Sequence, residues 1–205
     1  MPQGYSCASI ATGRLAVSIK VVPNRLHFTG NQEADELIAR DPLALLIGFV
    51  LDQQVPLTKA FSSPLDLKRR LGSLDAAEIA GMDPAELERV FREKPALHRF
   101  PGNMARRVQE LCRAVVSEYD GRAERIWEGA RDGHDLRARL ASLPGFGDMK
   151  VTALGSVLAK RFGVAAAQTL VPSHPTLADI DSDESRERYQ EAKRAYKAAL
   201  RAKAS

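Results

Sequence analysis

Apolar residues recur at steps of three and four along most of this chain, which is the spacing of one face of an α-helix. The pattern starts near Ala34 and is clearest over residues 103–119. Residues 43–51 are apolar on nearly every side, which is typical of a helix at the centre of a domain. Because these helical patterns follow one another closely from Asn31 onwards, the chain is predicted to be all-α.

Several boundaries of these helices have recognisable signals. Asp41-Pro42 and Asp83-Pro84 each place an N-cap residue before a proline at the first helical position, and Glu86 would complete a capping box in the second case. Shorter helices are predicted over residues 57–61, 64–71 and 76–80, and longer ones over 151–162 and 183–203.

The patterning divides the chain into three parts. Residues 1–30 form an N-terminal extension, either disordered or containing a small β-hairpin over 15–28, where β-branched residues surround Pro23-Asn24. Residues 31–182 form one compact, two-lobed helical domain. Residues 183–205 are expected to form a basic C-terminal helix that packs on that domain.

The most informative stretch is Leu-Pro-Gly-Phe-Gly-Asp-Met-Lys at residues 143–150. It joins two helical patterns through a tight glycine turn, and Asp148 is the candidate N-cap of the second helix. Such a turn exposes main-chain N–H groups at a helix N-terminus, where they can bind an anion such as a nucleic-acid phosphate. The alternative is a connecting loop without a ligand.

A second polar motif, Asp52-Gln53-Gln54, follows the apolar residues 43–51. A buried amide without partners costs about 1–3 kcal/mol, so glutamines at the end of a core helix need a reason. Their amides either satisfy neighbouring loops or project into a cleft, where a glutamine amide can pair with the edge of a base.

Charge and cysteine content narrow the function classes. The formal net charge is +4, but residues 186–205 hold seven basic and two acidic residues, so the excess belongs to the tail and is weak evidence for DNA binding. Only Cys7 and Cys112 are present, which excludes an iron–sulfur cluster or an all-cysteine zinc site within the chain. No apolar run reaches the length of a membrane span, and no signal-peptide pattern opens the chain, so we expect a cytoplasmic, nucleoid-associated bacterial protein.

The two motifs, in this order and at this distance, resemble the helix-hairpin-helix, Gly/Pro-Asp (HhH-GPD) superfamily of DNA glycosylases. The resemblance covers roughly residues 41–181 and is closest to an actinobacterial-type branch of base excision repair proteins. It implies that the protein flips a damaged base out of duplex DNA and hydrolyses its N-glycosidic bond. The DNA-binding residues that it implies are Gln53, Gln54, Gly145, Phe146 and Gly147. Arg106, Arg107 and, at the hairpin helix, Lys150 are further candidates, because their charges can meet phosphates.

This chain departs from the family pattern at the lysine of its bifunctional members. That position, two residues after the second glycine, holds Met149. Lys150 follows about 100° further round the helix and is interpreted as a surface lysine. We therefore expect water as the nucleophile and no lyase step.

The second departure concerns the catalytic aspartate of the family, expected some twenty residues after the hairpin. Residues 165–168 hold no acid there, and the first acids downstream are Asp179 and Asp181. Both are candidates for the catalytic carboxylate, although Asp181 could equally begin the last helix. The missing acid favours the alternative of a non-catalytic DNA-binding protein, and a helical protein-interaction module with a basic tail is a third hypothesis.

The resemblance also bears on cofactors and partners. No metal or organic cofactor is expected, apart from a monovalent cation at the hairpin. The expected partner is duplex DNA containing damaged bases, with no membrane association, and the protein is expected to act as a monomer.

Overall fold

The computed structural model describes residues 23–203, and every regular element within them is helical. The hairpin or disorder predicted for residues 1–30 therefore lies mostly outside the described residues, and 23–30 form irregular chain. The α-helices are α1 Gln32–Arg40, α2 Pro42–Leu51, α3 Leu57–Leu71, α4 Ala76–Gly81, α5 Pro84–Arg92, α6 Pro101–Tyr119, α7 Arg125–Glu128, α8 Gly133–Ser142, α9 Asp148–Phe162 and α10 Asp183–Lys203. Two short 3₁₀ segments, Ala165–Leu170 and Leu177–Asp179, follow α9.

Helix α2 is the centre of the molecule, as its apolar sequence predicts. The carboxylate of Asp41 accepts hydrogen bonds from the N–H groups of Leu43 and Ala44, at 2.9 and 3.1 Å, and so caps the helix. Every residue from Leu43 to Leu51 is buried. At Gly48 a Cβ atom would lie only 2.5 Å from the ring of Phe61, so the glycine is what allows α3 to approach α2 this closely.

The helices form two groups that share one apolar core. In the first group, α2 packs against α1, α3 and α6, and α6 packs against α4 and α5. In the second group, α9 packs against α8 and both 3₁₀ segments. A continuous cluster of buried apolar side chains runs through both groups, so the two lobes are parts of one domain.

The structure differs from the predicted boundaries at two places. Residues 57–71 form one helix through Pro64, with buried residues on both sides of the proline. Gly147, not Asp148, is the N-cap of α9, and Asp148 is its first helical residue.

The C-terminal helix α10 packs on the domain mainly through its beginning. Ser185 is buried and Tyr189 is partly buried against the core, whereas residues 191–196 are exposed. The basic side chains of Lys193 and Arg194 therefore lie outside the packed domain.

Candidate nucleic-acid interface

The turn between α8 and α9 has the geometry of a tight glycine hairpin. Gly145 has φ of +85°, which L side chains rarely adopt, and the Phe146 N–H donates to the Leu143 carbonyl oxygen at 3.1 Å. Gly147 caps α9 without any side-chain hydrogen bond, and a Cβ there would meet no atom within 4 Å. The N–H groups in the first turn of α9 therefore have no side-chain acceptor at the N-cap, and a helix N-terminus of this kind can bind phosphate.

The hairpin rests on the C-terminal half of α2. Phe146 is buried, and its ring centroid lies 6.3 Å from that of Phe49. Gly145 lies beside Val50, whose Cγ2 would be 3.8 Å from a Cβ at the glycine. Phe146 is thus a core residue that holds the hairpin in place, and the expectation that it contacts DNA is corrected.

Gln53, just after α2, has its amide fully engaged by the protein. Its Nε2 donates to the Val50 carbonyl oxygen at 2.8 Å, and its Oε1 accepts from the Arg107 guanidinium at 2.5 Å. Because both ends of the amide have partners, Gln53 stabilises the end of α2, which is the first of the two alternatives that the sequence left open.

His98 supports the same segment from the loop between α5 and α6. The Phe100 N–H donates to Nδ1 at 3.0 Å, so Nε2 bears the ring proton and donates to the Gln53 carbonyl oxygen, also at 3.0 Å. Burial lowers the pKa of His98, and the hydrogen bonds to Gln53 and Leu51 only partly oppose this. The ring is therefore a neutral, fixed support.

Gln54 differs from Gln53 in both exposure and backbone. It is exposed and has φ of +57°, and its side chain makes no hydrogen bond within residues 23–203. Phe100, whose ring lies beside that of His98, is 42 % exposed. The Arg99 guanidinium lies 4.7 Å from the centroid of the Phe100 ring. Gln54 and Phe100 are therefore the side chains that this region presents to solvent.

Lys150 points into the protein. Its Nζ donates to the Val50 carbonyl oxygen at 3.2 Å, and the side chain is partly buried. Burial lowers the pKa of Lys150 to about 8, with Asp52 opposing the shift and Arg107 adding to it. The expectation of a surface lysine available to phosphate is therefore wrong, while Met149, which replaces the lysine of the bifunctional enzymes, is 84 % exposed.

Tyr189 of α10 is partly buried against the core. Burial raises the pKa of its phenol to about 12, and the negative charges of Asp52 and Asp179 contribute to the rise. We use the name α2-end cluster for Asp52, Gln53, Arg107 and Lys150, which joins α2, α6 and α9 at the base of the hairpin.

Asp179, a predicted catalytic residue, is tied into its own loop. Its Oδ1 pairs with the Lys160 ammonium at 2.6 Å, and its Oδ2 accepts from the N–H and hydroxyl of Thr176 at 2.7 and 3.2 Å. Burial alone would raise its pKa, but the bonds from Lys160 and Thr176 together hold the pKa below its usual range. The carboxylate is ionised and has strong partners on both oxygens.

Asp181 lies at the start of α10. It is exposed, and a hydrogen bond from Ser185 lowers the pKa of its carboxyl. The 3₁₀ segment that occupies the family's aspartate position buries Ala167 completely. No carboxylate therefore replaces the family acid at that point of the chain.

Adjacent arginines on α6 point to different neighbours. Arg106 is exposed and binds Glu110 and Asn103 at 3.0 and 3.1 Å, whereas Arg107 reaches Gln53. Of the two arginines considered for phosphate contacts, Arg107 therefore lies at the end of α2, and Arg106 remains on the surface.

Within residues 23–203, no group of three or more His, Cys, Asp or Glu side chains could hold a metal ion, and no helix combines the length and apolarity of a membrane span. Cys112 is buried, which raises the pKa of its thiol to about 12 and makes it unreactive.

The structure thus places a glycine hairpin on a buried helix that is followed by Asp-Gln-Gln. The profile of the HhH-GPD superfamily base excision DNA repair proteins matches residues 47–196, which include both motifs and most of α10. The chain belongs to this superfamily. No curated protein and no solved structure matches it.

Proposed function

We propose that this protein is a monofunctional DNA glycosylase that hydrolyses the N-glycosidic bond of a damaged, flipped-out base. Membership of the base excision repair superfamily supports a DNA substrate. The observation that carries the proposal is that the hairpin and the end of α2 form one surface, joined by the hydrogen bond from Lys150 to Val50. Gln54 projects from that surface.

In the proposed binding mode, the hairpin and the Gln-Gln motif have different roles. The N–H groups at the start of α9, around Gly145 and Gly147, bind a phosphate and hold the duplex without regard to sequence. Gln54 enters the base stack and fills the space of the flipped nucleotide, which costs a few kcal/mol and is easiest at a damaged pair. A monovalent cation at the hairpin would contact carbonyl oxygens of the turn and assist phosphate binding only.

In the proposed reaction, a water oxygen bonds to C1′ of the sugar while the bond from C1′ to the base nitrogen breaks. The base leaves with the electron pair, and a proton from the water ends on the base. An ionised carboxylate stabilises the positive charge that develops on the sugar. Of the two aspartates predicted from the sequence, Asp179 is preferred, because Asp181 has an alternative role at the start of the last helix.

The absence of a lyase step is part of the proposal. A Schiff base requires an unprotonated amine that reaches C1′ of the sugar. Met149 stands at the family's lysine position, and Lys150 is directed to the Val50 carbonyl oxygen. The reaction therefore releases the free base and leaves an intact strand with an abasic site.

The test is base release from duplexes that each contain one alkylated, deaminated or oxidised base. We expect strand cleavage only after alkali, and no adduct on borohydride treatment. Gln54→Ala should reduce release, while Gln32→Ala, which changes an exposed glutamine on α1, should not. A borohydride adduct would overturn the hydrolytic mechanism.

A second candidate is a DNA-binding protein without catalysis. The lack of any acid in residues 165–168, where the family's aspartate is expected, favours it, as does the engagement of both Asp179 oxygens. Salt-sensitive duplex binding without release of any base would support this candidate. No duplex binding even at low salt would leave a protein-interaction module.

A further inference from the structure

Gln54 has a backbone conformation that an L residue does not favour. Its φ of +57° lies in the left-handed region, which is uncommon for residues other than glycine, asparagine and aspartate. Such a conformation persists only where the surrounding structure imposes it, and it is frequent at binding sites. Because Gln54 is exposed, the residues that impose its conformation must be sought among its chain neighbours and their contacts.

The chain on both sides of Gln54 is short and anchored. Only residues 52–56 connect α2 to α3, and these two helices pack against each other. After Gln54, Val55 is partly buried and packs against the core. Before it, the N–H of Gln53 donates to the Leu51 carbonyl oxygen at 2.7 Å. The conformation at Gln54 therefore depends on how firmly Gln53 is held.

Gln53 is held by α6 and by the loop that precedes it. His98 in that loop donates to the main-chain carbonyl oxygen of Gln53 at 3.0 Å. Arg107, in the second turn of α6, donates from its guanidinium to Oε1 of the Gln53 side chain at 2.5 Å, across 54 residues of chain. Since α6 packs on α2, the packing of these two helices sets the position of the turn that contains Gln54.

Arg107 is well placed to fix the Gln53 amide. It is only partly exposed, and its neighbours Met104 and Val108 on α6 are buried in the core. A hydrogen bond from a guanidinium is charge-assisted and stronger than one between neutral groups. With Oε1 bound by Arg107, Nε2 of Gln53 is directed to the Val50 carbonyl oxygen at 2.8 Å. The bond from Arg107 therefore orients the whole amide.

We propose that Arg107 is a positioning residue for Gln54, an inference that rests on the proposed function, in which Gln54 enters the base stack. Arg107 holds Gln53, and this keeps the main chain at Gln54 in the left-handed conformation with its side chain directed to solvent. The turn is thus ordered before DNA binds, which lowers the cost of inserting Gln54. Arg107 itself contacts no phosphate in this role.

The decisive measurement is base unstacking in a duplex with one 2-aminopurine·cytosine mismatch, whose fluorescence rises when the 2-aminopurine leaves the stack. The Kd for an undamaged duplex and its salt dependence are measured in parallel. Arg107→Met keeps an aliphatic stem and removes the donors. We expect the unstacking equilibrium at saturating protein to become about tenfold less favourable, while Kd and its salt dependence change little. Arg107→Lys keeps a charged donor and should restore part of the unstacking.

Arg113→Met is the matched control. Arg113 is an exposed arginine on the same helix that also donates to a neutral oxygen, the carbonyl of Ala80. Its variant should unstack the base and bind duplexes as the wild type does. If Arg107 instead contacts a phosphate, Arg107→Met will weaken binding to every duplex and reduce the salt slope by about one, which would overturn the proposal.

A double variant separates positioning from a general structural role. In a Gln54→Ala background, Arg107→Met should cause no further loss of unstacking, because Arg107 acts through Gln54. An equal loss in both backgrounds would mean that Arg107 only stabilises the fold, and melting temperatures of all four proteins are recorded to compare their stability.

The same assay distinguishes this inference from the proposed function. If the wild type gives no rise in fluorescence, Gln54 displaces no base, and both the binding mode and the inference fall. If Arg107→Met unstacks the base as well as the wild type does, the inference alone falls. Loss of unstacking in Arg107→Met, with no base release by the wild type from any damaged duplex, would support the inference and overturn the proposed hydrolysis.

Discussion

The Nζ atom of Lys150 donates a hydrogen bond of 3.2 Å to the main-chain carbonyl oxygen of Val50, across 100 residues of chain. It joins the first turn of α9 to the last turn of α2. The proposed phosphate site and the proposed base-stack residue Gln54 lie on either side of this bond. Their separation is therefore set by the packed core and does not depend on a flexible loop.

The two hairpin glycines should respond differently to substitution. Gly145→Ala places a side chain at φ of +85° and should cost about 1–2 kcal/mol of unfolding free energy, measured by urea denaturation. Gly147→Ala has space for its Cβ and should leave stability nearly unchanged. Gly147→Val should weaken binding to damaged and undamaged duplexes alike, because a bulky side chain obstructs the phosphate site. Unchanged affinity would remove this role from the hairpin.

Substitutions of the two adjacent glutamines should have different effects, one on protein stability and the other on DNA binding. Gln53→Ala removes hydrogen bonds to Val50 and Arg107 and should lower the unfolding free energy by about 1–3 kcal/mol. Gln54→Ala should leave the melting temperature unchanged and weaken binding to a duplex with a damaged base. Thermal melts and fluorescence anisotropy of both variants measure this, and a destabilised Gln54→Ala would contradict the assignment.

Lys150→Met should make the protein more stable at neutral pH, because burial disfavours the ammonium. The pKa of Lys150 is about 8 in the folded protein, against an ordinary value of 10.5, so the ammonium loses its proton more easily in the folded protein than in the unfolded chain. The advantage of the variant should be full below pH 8 and disappear as pH rises towards 10.5. Val50 keeps a donor in both proteins, since Gln53 also bonds its carbonyl oxygen.

Urea denaturation of both proteins between pH 7 and pH 10.5 measures this difference, in the pH range defined by the two pKa values. Lys68→Met, at an exposed position on α3, is the control and should show no such convergence with pH. A constant difference between wild type and Lys150→Met would mean that the amine is not desolvated.

His98→Phe should destabilise the end of α2. The ring shape is kept, but the Gln53 carbonyl oxygen loses its donor, which costs about 1–3 kcal/mol. Because burial lowers the pKa of His98 in the folded protein, wild-type stability should fall as pH drops below 6.5, the ordinary value. The variant should lack this contribution, and parallel acid unfolding curves for the two proteins would contradict it.

The helices themselves follow from local sequence. The structure confirms the predicted N-caps at Asp41 and Asp83 and the predicted end of α9 at residue 162. These boundaries are predictable because a cap depends on hydrogen bonds within a few residues. The burial of α2 could also be predicted, since a helix that is apolar on every side has no polar face to turn towards solvent. The superfamily was also recognisable, because its two motifs are short and contiguous.

The direction of single side chains was not predictable in the same way. Lys150 was interpreted as exposed, Phe146 as a DNA contact, and Arg106 and Arg107 as equal candidates for phosphate contacts. Each depends on how one helix is rotated against another, and the sequence shows only that a residue is one step from its neighbour. A step of about 100° is enough to replace Arg106 by Arg107 and Met149 by Lys150 at the interior.

The sequence by itself determined that this chain is all-helical, where most of its helices begin and end, and that a glycine hairpin and a Gln-Gln motif belong to one DNA repair superfamily. Only the tertiary structure decided that Gln54 is exposed while Gln53 is held, and that Lys150 and Arg107 both bind the end of α2. Caps and periodicity act over one or two turns of a helix, whereas these contacts form by packing helices that are far apart in the chain.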